Sequence, residues 1–230
     1  MAHEPAADRQ STPPRAIIFD LDGTLIDSVA AITESVNVTL REMGLPEKDP
    51  VVVFRLLGKP FEQKCVELIG TADDDTVERF TILFRDYYRR ICLGSTRLLP
   101  GAESTLRYLA DQPVVLGVAT TKPRKPAEMI LEHLGCRQFF LVLVGPEDVE
   151  HVKPHPEPIE KAARRLNVSP ADCVYVGDTP IDVEAAHAAG TRCIAVCSGA
   201  YSRNELEAVG ADWIFSGVGD IPTWFDEVAN

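Results

Sequence analysis

Two acidic clusters are the residues whose types and spacing are best suited to chemistry. The first lies at residues 20–24 (DLDGT), where two carboxylates stand two positions apart directly after a short apolar run. The second is residues 177–182 (GDTPID), where Asp178 and Asp182 are four positions apart. Acids are also common in turns and at helix starts, and a capping role explains Asp182 better than it explains Asp178.

Brought together, these acids would repel one another unless a cation lay between them. A hard divalent cation resolves that repulsion, and oxygen ligands with room for water suit Mg²⁺. Gly23 permits a sharp turn and a close approach of the backbone to a ligand. Lys153 offers a positive charge to an anion, and the hydroxyl of Thr120 can donate to a phosphate oxygen. These residue types indicate a site for a metal ion and a phosphate group.

Strands and helices that alternate along the chain would position these groups. Continuous apolar runs, typical of strands buried on both faces, cover residues 15–20, 114–120, 139–144, 173–176 and 192–196, with a weaker run over 213–215. Helical periodicity lies between them, over residues 102–111, 125–134, 158–166 and 181–189. This alternation predicts an α/β fold, a Rossmann-like parallel sheet core with helices on both faces.

The carboxyl ends of the strands are where ligands bind in such open parallel sheets. The residues that follow the strands are therefore the candidate site residues. They are Asp20, Asp22, Thr120, Thr121, Asp178 and Asp182, with Lys153 in a loop a little beyond the third strand.

One region interrupts the alternation. Residues 28–94 show helical patterns and no clear strand, which predicts a small all-helical cap inserted after the first strand. The core would then comprise residues 15–27 and 95–230, and residues 1–14 read as a disordered leader. Within the cap, Arg55 and Lys59 flank a turn and are candidates to contact the anionic end of a substrate, although solvated surface charge is the commoner role of such residues.

Composition narrows the partners. The chain has 230 residues, a formal net charge of −12 and a pI near 4.9, which disfavours nucleic acid and anionic membrane surfaces. No apolar run reaches the roughly 18 residues of a membrane span. The six cysteines form no C-x-x-C pair, and reduced thiols predict a cytoplasmic protein. His151 and His155 could bind a metal on paper, but Pro154 argues against a helix that would align their rings.

Four segments together resemble the haloacid dehalogenase superfamily of phosphatases. They are FDLDGTL at residues 19–25, VAT ending at Thr120, KPHPEP starting at Lys153 and GDTPID at residues 177–182. They occur in the family's order and at similar spacing, and the resemblance covers essentially the whole chain after the leader. The helical insert resembles the small cap of the phosphoglycolate phosphatase-like subgroup.

The resemblance implies a role for each matched residue. Asp20 would attack phosphorus and form an aspartyl-phosphate, while Asp22 would protonate the leaving alcohol and later deprotonate water. Mg²⁺ would be held by the Asp20 carboxylate, the Asp22 main-chain carbonyl and Asp178, with Asp182 bound through water or supporting the ligands. The phosphate group would be bound by Gly23, Thr120, Thr121 and Lys153.

The resemblance predicts hydrolysis of a small phosphate monoester, with phosphoglycolate the first substrate to test. Asp22 favours phosphate chemistry, because family members that cleave carbon–halogen bonds lack an acid there. Thr121 departs from the Asn of many phosphoglycolate phosphatase-like sequences, which weakens the link to that substrate. A phosphosugar mutase of the β-phosphoglucomutase type and a non-catalytic binding protein stay open as alternatives. The sequence does not indicate an oligomeric state. We expect the cap to open and close, because water must be excluded during attack and admitted afterwards.

Overall fold

The computed structural model describes residues 12–229, so residues 1–11 of the predicted leader lie outside it. Eight strands occur along this part of the chain: β1 (Ala16–Phe19), β2 (Ile26–Asp27), β3 (Arg97–Leu98), β4 (Val115–Ala119), β5 (Val142–Val144), β6 (Cys173–Gly177), β7 (Arg192–Val196) and β8 (Trp213–Phe215). Six of them form one parallel sheet in the order β5-β4-β1-β6-β7-β8. The predicted α/β fold is confirmed.

Alternate residues of β1 face opposite sides of the sheet, as the period of two in a strand requires. Ile17 and Phe19 enter one hydrophobic core, whereas Ala16 and Ile18 enter the other. All four side chains are fully buried. The continuous apolar run that predicted this strand is therefore a consequence of burial on both faces.

Four helices occupy the segment between β2 and β3. They are α1 (Val29–Glu42), α2 (Pro50–Arg55), α3 (Phe61–Ile69) and α4 (Asp74–Ser95). Asp49 caps α2 and Asp73 caps α4, each through a side-chain oxygen that accepts a backbone N–H. Their buried apolar residues, such as Leu40 and Phe80, join the core on one face of the sheet. The helical character predicted for this segment is confirmed.

The remaining helices cover both faces of the sheet. They are α5 (Ala102–Ala110), α6 (Arg124–His133), α7 (Glu157–Arg165), α8 (Pro180–Ala188), α9 (Arg203–Ala208) and α10 (Ile221–Ala229). Buried residues of α5, α6 and α10 pack on one face, and those of α7, α8 and α9 pack on the other. Gly135 and Gly190 adopt positive φ just beyond α6 and α8, where the sequence predicts that these helices end.

The strand predicted over residues 139–144 is wrong in its first half. Arg137–Phe139 form a short 3₁₀ turn, and only Val142–Val144 pair with β4. The Arg137 side chain donates a hydrogen bond to the Phe140 carbonyl at 2.7 Å, which ties the backbone into the turn. The apolar residues Phe139 and Phe140 pack against the core without extending the strand.

A two-residue antiparallel ribbon joins the helical segment to the sheet. Ile26 pairs with Leu98, and Asp27 pairs with Arg97. The chain therefore enters and leaves the helical segment through neighbouring backbones. Strands this short carry no periodicity, and none was predicted here.

Candidate active site

Asp20 directly follows β1, the strand that lies between β4 and β6 near the centre of the sheet. Its backbone N–H donates to the Val176 carbonyl at 2.8 Å, so the turn after β1 is held against the neighbouring strand. The side chain is 3% exposed. Asp20 therefore lies at the carboxyl edge of the sheet, where the sequence predicts a ligand site.

Three of the predicted acids meet at this edge. Carboxylate oxygens of Asp20, Asp178 and Asp182 lie within 4.8 Å of one another, and all three residues are buried. The ammonium of Lys153 is the cation among them, 3.1 Å from Asp20 and 2.6 Å from Asp182. Lys153 comes from the loop after β5, which confirms its predicted position in a loop beyond the third strand.

The charges of this cluster are unbalanced. Burial raises the pKa of Asp20 to about 6, against the opposing effect of Lys153. Burial, together with the charges of Asp182 and Asp20, also holds the pKa of Asp178 well above its usual range. One oxygen of Asp20, Oδ1, is buried and has no hydrogen-bond partner among residues 12–229. Oxygen ligands and an unsatisfied buried carboxylate oxygen fit a hard divalent cation.

The Asp178 carboxylate is packed so closely that the neighbouring residues Gly23 and Gly199 have no room for a side chain. Thr24 donates a hydrogen bond to its Oδ1 at 2.8 Å. A Cβ built on Gly23 would lie 2.4 Å from Asp178 Oδ2, and one built on Gly199 would lie 1.9 Å from it. Gly23 also has a φ of +82°, a conformation that favours glycine. The backbone on both sides of Asp178 therefore approaches this carboxylate as closely as glycine allows.

Asp182 has a supporting role in the geometry. It forms a capping box with Thr179 at the start of α8. Its Oδ2 accepts hydrogen bonds from the backbone N–H groups of Asp178 and Thr179, and its Oδ1 accepts from Lys153. Both oxygens are thus engaged within the protein, in keeping with the capping interpretation and with an indirect part in metal binding.

Asp22 is turned away from the other acids. Both of its oxygens accept hydrogen bonds from the Lys122 ammonium, at 2.8 and 3.0 Å, and Ser28 donates a short hydrogen bond to Oδ1. Burial raises the pKa of Asp22, but the Lys122 charge and the hydrogen bonds from Lys122 and Ser28 together outweigh burial and hold the pKa below its usual value. The side chain of Asp22 is absent from the acidic cluster, which leaves its main-chain carbonyl as the predicted metal contact.

The predicted phosphate-binding threonines lie at the end of β4. Thr120 is buried, and Thr121 is partly buried. The Thr120 hydroxyl accepts a hydrogen bond from the Lys122 N–H at 3.2 Å, so the turn that carries both threonines is ordered by its own side chain. Roles of Gly23, Thr120 and Thr121 in phosphate binding stay predictions.

The two predicted cap contacts have protein partners. Arg55 lies 3.5 Å from Glu205, and its carbonyl accepts a hydrogen bond from the Tyr201 hydroxyl. Lys59 forms an ion pair with Glu67 at 2.7 Å. Gly58 lies between them in sequence and packs against the side chain of Thr179. A Cβ added at Gly58 would be 3.2 Å from Thr179 Cγ2. This turn therefore contacts the loop that carries Asp178.

The rings of His151 and His155 lie side by side although the segment that carries them is not helical. Their centroids are 4.6 Å apart in the loop before α7. Glu157 completes a surface cluster with them, but its oxygens accept hydrogen bonds from the backbone N–H groups of Glu150 and His151. The cluster faces solvent, on side chains that the acidic site does not use.

Sequence reasoning missed several residues of the site. Lys122 stands two positions after Thr120, and a cation so close to the end of a strand is a signal in the sequence. Gly199 follows β7, and a glycine there carries no chemical group that would signal a role. Tyr175 lies inside β6, and its hydroxyl accepts from Lys153 and donates to the Ala119 carbonyl, both at 2.8 Å. A buried tyrosine within an apolar strand carries no signal of that role.

Comparisons with known proteins agree with this arrangement. The family model for haloacid dehalogenase-like hydrolases matches residues 17–196. A phosphoglycolate phosphatase of Rhodospirillum rubrum is 33% identical over 219 residues, covering 92% of this chain and 90% of that protein. The crystal structure of a predicted phosphoglycolate phosphatase from Haemophilus somnus is 29% identical, with a TM-score of 0.84 over 91% of this chain and 96% of the other. The chain belongs to the haloacid dehalogenase-like hydrolase family.

The particular relatives place it among the phosphatases of that family, which confirms the predicted resemblance and enzyme class. A further relative carries a different name: a pyrophosphatase of Oceanobacillus iheyensis is 31% identical over 209 residues, covering 91% of this chain and 95% of that protein. Phosphatases of the family use a divalent metal, and the acidic cluster matches that requirement. In residues 12–229, no helix is both long and apolar enough to cross a membrane.

Proposed function

We propose that this protein is a Mg²⁺-dependent phosphatase that hydrolyses a small phosphate ester through an aspartyl-phosphate on Asp20. The observation that carries the proposal is the convergence of Asp20, Asp178, Asp182 and Lys153 at the carboxyl edge of the sheet. Asp20 Oδ1 accepts no hydrogen bond from the described residues, which leaves it available as a nucleophilic or metal-ligating oxygen. Phosphoglycolate is the first candidate substrate.

The residues present would hold the metal through the Asp20 carboxylate, the Asp178 carboxylate and the Asp22 main-chain carbonyl. When bound, Mg²⁺ supplies charge neutralisation for the phosphoryl oxygens. Lys153 lies 3.1 Å from Asp20 and orients the nucleophile while adding a second positive charge to the site. Thr120 and the backbone of the turn at Gly23 would bind the remaining phosphoryl oxygens.

Two displacements at phosphorus complete the reaction. First, an Asp20 oxygen attacks phosphorus, the bond to the ester oxygen breaks, and Asp22 gives that oxygen its proton. Then Asp22 takes a proton from water, the water oxygen attacks phosphorus, and the Asp20 carboxylate leaves. Asp22 is separate from the acidic cluster, so a change in its protonation leaves the nucleophile's own contacts unaltered. Its ion pair with Lys122 favours the carboxylate form, which is the form that takes the proton from water.

We also propose that residues 28–94 act as a cap domain over a core formed by residues 15–27 and 95–230. Four helices without a strand, joined to the sheet by one short ribbon, support this division. All six cysteines are free, which supports a reducing, cytoplasmic location.

A second candidate, pyrophosphate hydrolysis, is favoured by the relative that is named a pyrophosphatase. It would use the same residues, with phosphate in place of an alcohol as the leaving group. A phosphosugar mutase remains the alternative if the aspartyl-phosphate is transferred to a second sugar hydroxyl.

The decisive experiment measures phosphate release from 2-phosphoglycolate, pyrophosphate, p-nitrophenyl phosphate and neutral phosphate esters, with Mg²⁺ and with EDTA. Asp20→Asn should abolish release, a loss of at least about 10³-fold. Asp22→Asn, the matched control, should form the phosphoenzyme from p-nitrophenyl phosphate, whose leaving group needs no proton. It should then hydrolyse the phosphoenzyme slowly. Release that is unaffected by Asp20→Asn would contradict the proposal, and isomerisation of sugar phosphates without release would favour the mutase.

A further inference from the structure

The loop between β5 and α7 presents different side chains to its two sides. Lys153 is 1% exposed and lies within the acidic cluster, whereas His151 and His155, two positions before and after it, face solvent. The His155 N–H donates to the Val152 carbonyl at 3.1 Å, which closes a turn that contains Lys153. This turn, and not a helix, brings the ring centroids of the two histidines to 4.6 Å from each other.

A carboxylate completes the group on the solvent side. Ligand atoms of His151, His155 and Glu157 all lie within 4.8 Å of one another. His151 Nδ1 is 3.4 Å from Glu157 Oε2, which is longer than a good hydrogen bond. In a tetrahedral zinc site with bonds of about 2.0–2.2 Å, neighbouring ligand atoms are about 3.3–3.5 Å apart. The spacing of this pair therefore suits two ligands of one metal ion.

Backbone hydrogen bonds hold the carboxylate in place. The oxygens of Glu157 accept from the N–H groups of Glu150 and His151, at 3.0 and 2.9 Å. A carboxylate has about four acceptor positions, so these two donors leave capacity for a metal ion, and metal-ligating carboxylates are commonly oriented by such bonds. The Glu157 N–H donates to His155 Nδ1 at 3.3 Å, so the lone pair of this ring nitrogen points toward Glu157. A metal ion would replace that long hydrogen bond.

The donor set determines the kind of ion. Two imidazole nitrogens and one carboxylate suit Zn²⁺, whereas the all-oxygen acidic cluster suits Mg²⁺. An anion would be repelled by the Glu157 carboxylate. Pro154 and Pro156 fix two φ angles within the segment that carries the ligands, so the segment loses little freedom when an ion binds.

We propose that His151, His155 and Glu157 bind a Zn²⁺ ion, with water completing the coordination, in a second metal site separate from the acidic cluster. The ion would join the two sides of the turn that contains Lys153, and would hold that turn in the conformation that places the Lys153 ammonium beside Asp20. Binding at this site does not depend on the proposed function.

Calorimetric titration with Zn²⁺ in saturating Mg²⁺ tests the site on wild type, His151→Gln, His155→Gln and His187→Gln. Both loop histidines are exposed, so their replacement should leave the fold intact. His187 is the matched control, an exposed histidine on α8 that lies 3.1 Å from the Asp212 carboxylate and outside the loop.

Wild type and His187→Gln should bind one more Zn²⁺ per chain than the loop variants, or bind it at least about 100-fold more tightly, because loss of a supporting contact alone costs about 10- to 100-fold. Zn²⁺ taken up by the acidic cluster would appear in all four proteins and cancel in the comparison. Equal stoichiometry and affinity in wild type and in both loop variants would overturn the proposal.

Hydrogen exchange tests the effect of the ion on the loop. Saturating Zn²⁺ should slow exchange of the amides of residues 150–155 by at least about 10-fold in wild type and in His187→Gln. It should have no such effect in His151→Gln or His155→Gln. Unchanged exchange in wild type, or equal slowing in the loop variants, would overturn the proposed hold on the Lys153 turn. Phosphate release with Mg²⁺ alone tests the proposed function separately, so a failure of either proposal can be distinguished.

Discussion

At the scale of single residues, the close approach of Gly199 to Asp178 is the most sensitive feature of the site. The backbone of Gly199 follows β7, two strands away from β1, and limits the space on one side of the carboxylate. Gly23 limits it on another. A metal ligand must be held in a precise position. A methyl group at either glycine should therefore displace the Asp178 carboxylate and weaken metal binding.

Gly199→Ala should weaken Mg²⁺ binding and lower activity by about 10-fold or more, because the added Cβ would lie 1.9 Å from Asp178 Oδ2. The measurement is the Mg²⁺ concentration that gives half-maximal phosphate release. Gly217→Ala is the matched control, since a Cβ there meets nothing within 4 Å. An unchanged Mg²⁺ requirement in Gly199→Ala would show that Asp178 is not a ligand.

Most charged residues of the site, and Gly23, could be predicted from sequence, whereas Gly199, Tyr175 and the partner of Lys122 could not. Asp20, Asp178 and Lys153 follow strands, and the sheet geometry itself places them at one edge. Gly199 has no side chain to signal a role, and its importance depends on a contact with a residue 21 positions away in the chain. Lys122 is charged, but only the folded structure shows that its partner is Asp22.

At the scale of elements, the helical insert contains a cluster of aromatic rings. Phe80 and Phe84 stack with ring centroids 6.0 Å apart, and Phe84 stacks on Tyr88 at 5.6 Å. Phe61 of α3 approaches Phe84 at 6.1 Å. These rings fix α4 against α3 and therefore hold Tyr88, whose ring lies against the Lys122 ammonium.

Phe80→Ala should lower the free energy of unfolding of the insert by about 3–5 kcal/mol, because it removes a buried ring from that core. Hydrogen exchange should then show faster exchange across α1 to α4 while β1, β4 and β6 stay protected. Phe225→Ala removes a ring of α10 that is buried to a similar extent. This variant should show faster exchange in the sheet while α1 to α4 stay protected. Loss of protection in both regions with either variant would show that residues 28–94 are not a separate domain.

The elements that sequence predicted well are those buried on both sides. Each strand of the central sheet is an apolar run, because both of its faces are covered by helices. The short α9 has a single fully buried residue, Leu206, so its pattern is weak. Neither α9 nor α10 was predicted, and the β2–β3 ribbon is too short to show any period.

At the scale of the whole molecule, stability depends on the acids of the site. The pKa of Asp20 is raised to about 6 and that of Asp178 is also raised, so the folded state holds these protons more tightly than the unfolded state does. Without metal, their contribution to stability is therefore lost as the pH rises from about 4 to above 6. Mg²⁺ competes with the same protons.

Melting temperatures measured with and without Mg²⁺ at pH 5 and pH 7.5 should show this competition. At pH 7.5 saturating Mg²⁺ should stabilise the fold by about 2–3 kcal/mol, at concentrations near 100 times the dissociation constant. At pH 5 the effect should be much smaller. In Asp178→Asn the Mg²⁺ effect should be weak at both values, and an equal effect of Mg²⁺ on this variant and on wild type would contradict the assigned ligand.

We expect the insert to move against the core during turnover. The contacts that cross between them near the site include those of Lys122 with Tyr88 and of Tyr201 with Arg55. Solution scattering with Mg²⁺ and vanadate, a phosphate mimic, should give a smaller radius of gyration than scattering of the protein alone. Identical profiles in the two conditions would contradict opening and closing of the cap.

The β2–β3 ribbon has a consequence for how such a protein can change over evolutionary time. Because Ile26 pairs with Leu98 and Asp27 with Arg97, the insert begins and ends at points only about 5 Å apart. An insert of another length or sequence could be spliced between these points in a descendant gene without displacing any strand of the sheet. The proposed cap can therefore diverge while the proposed catalytic residues of the core are inherited unchanged.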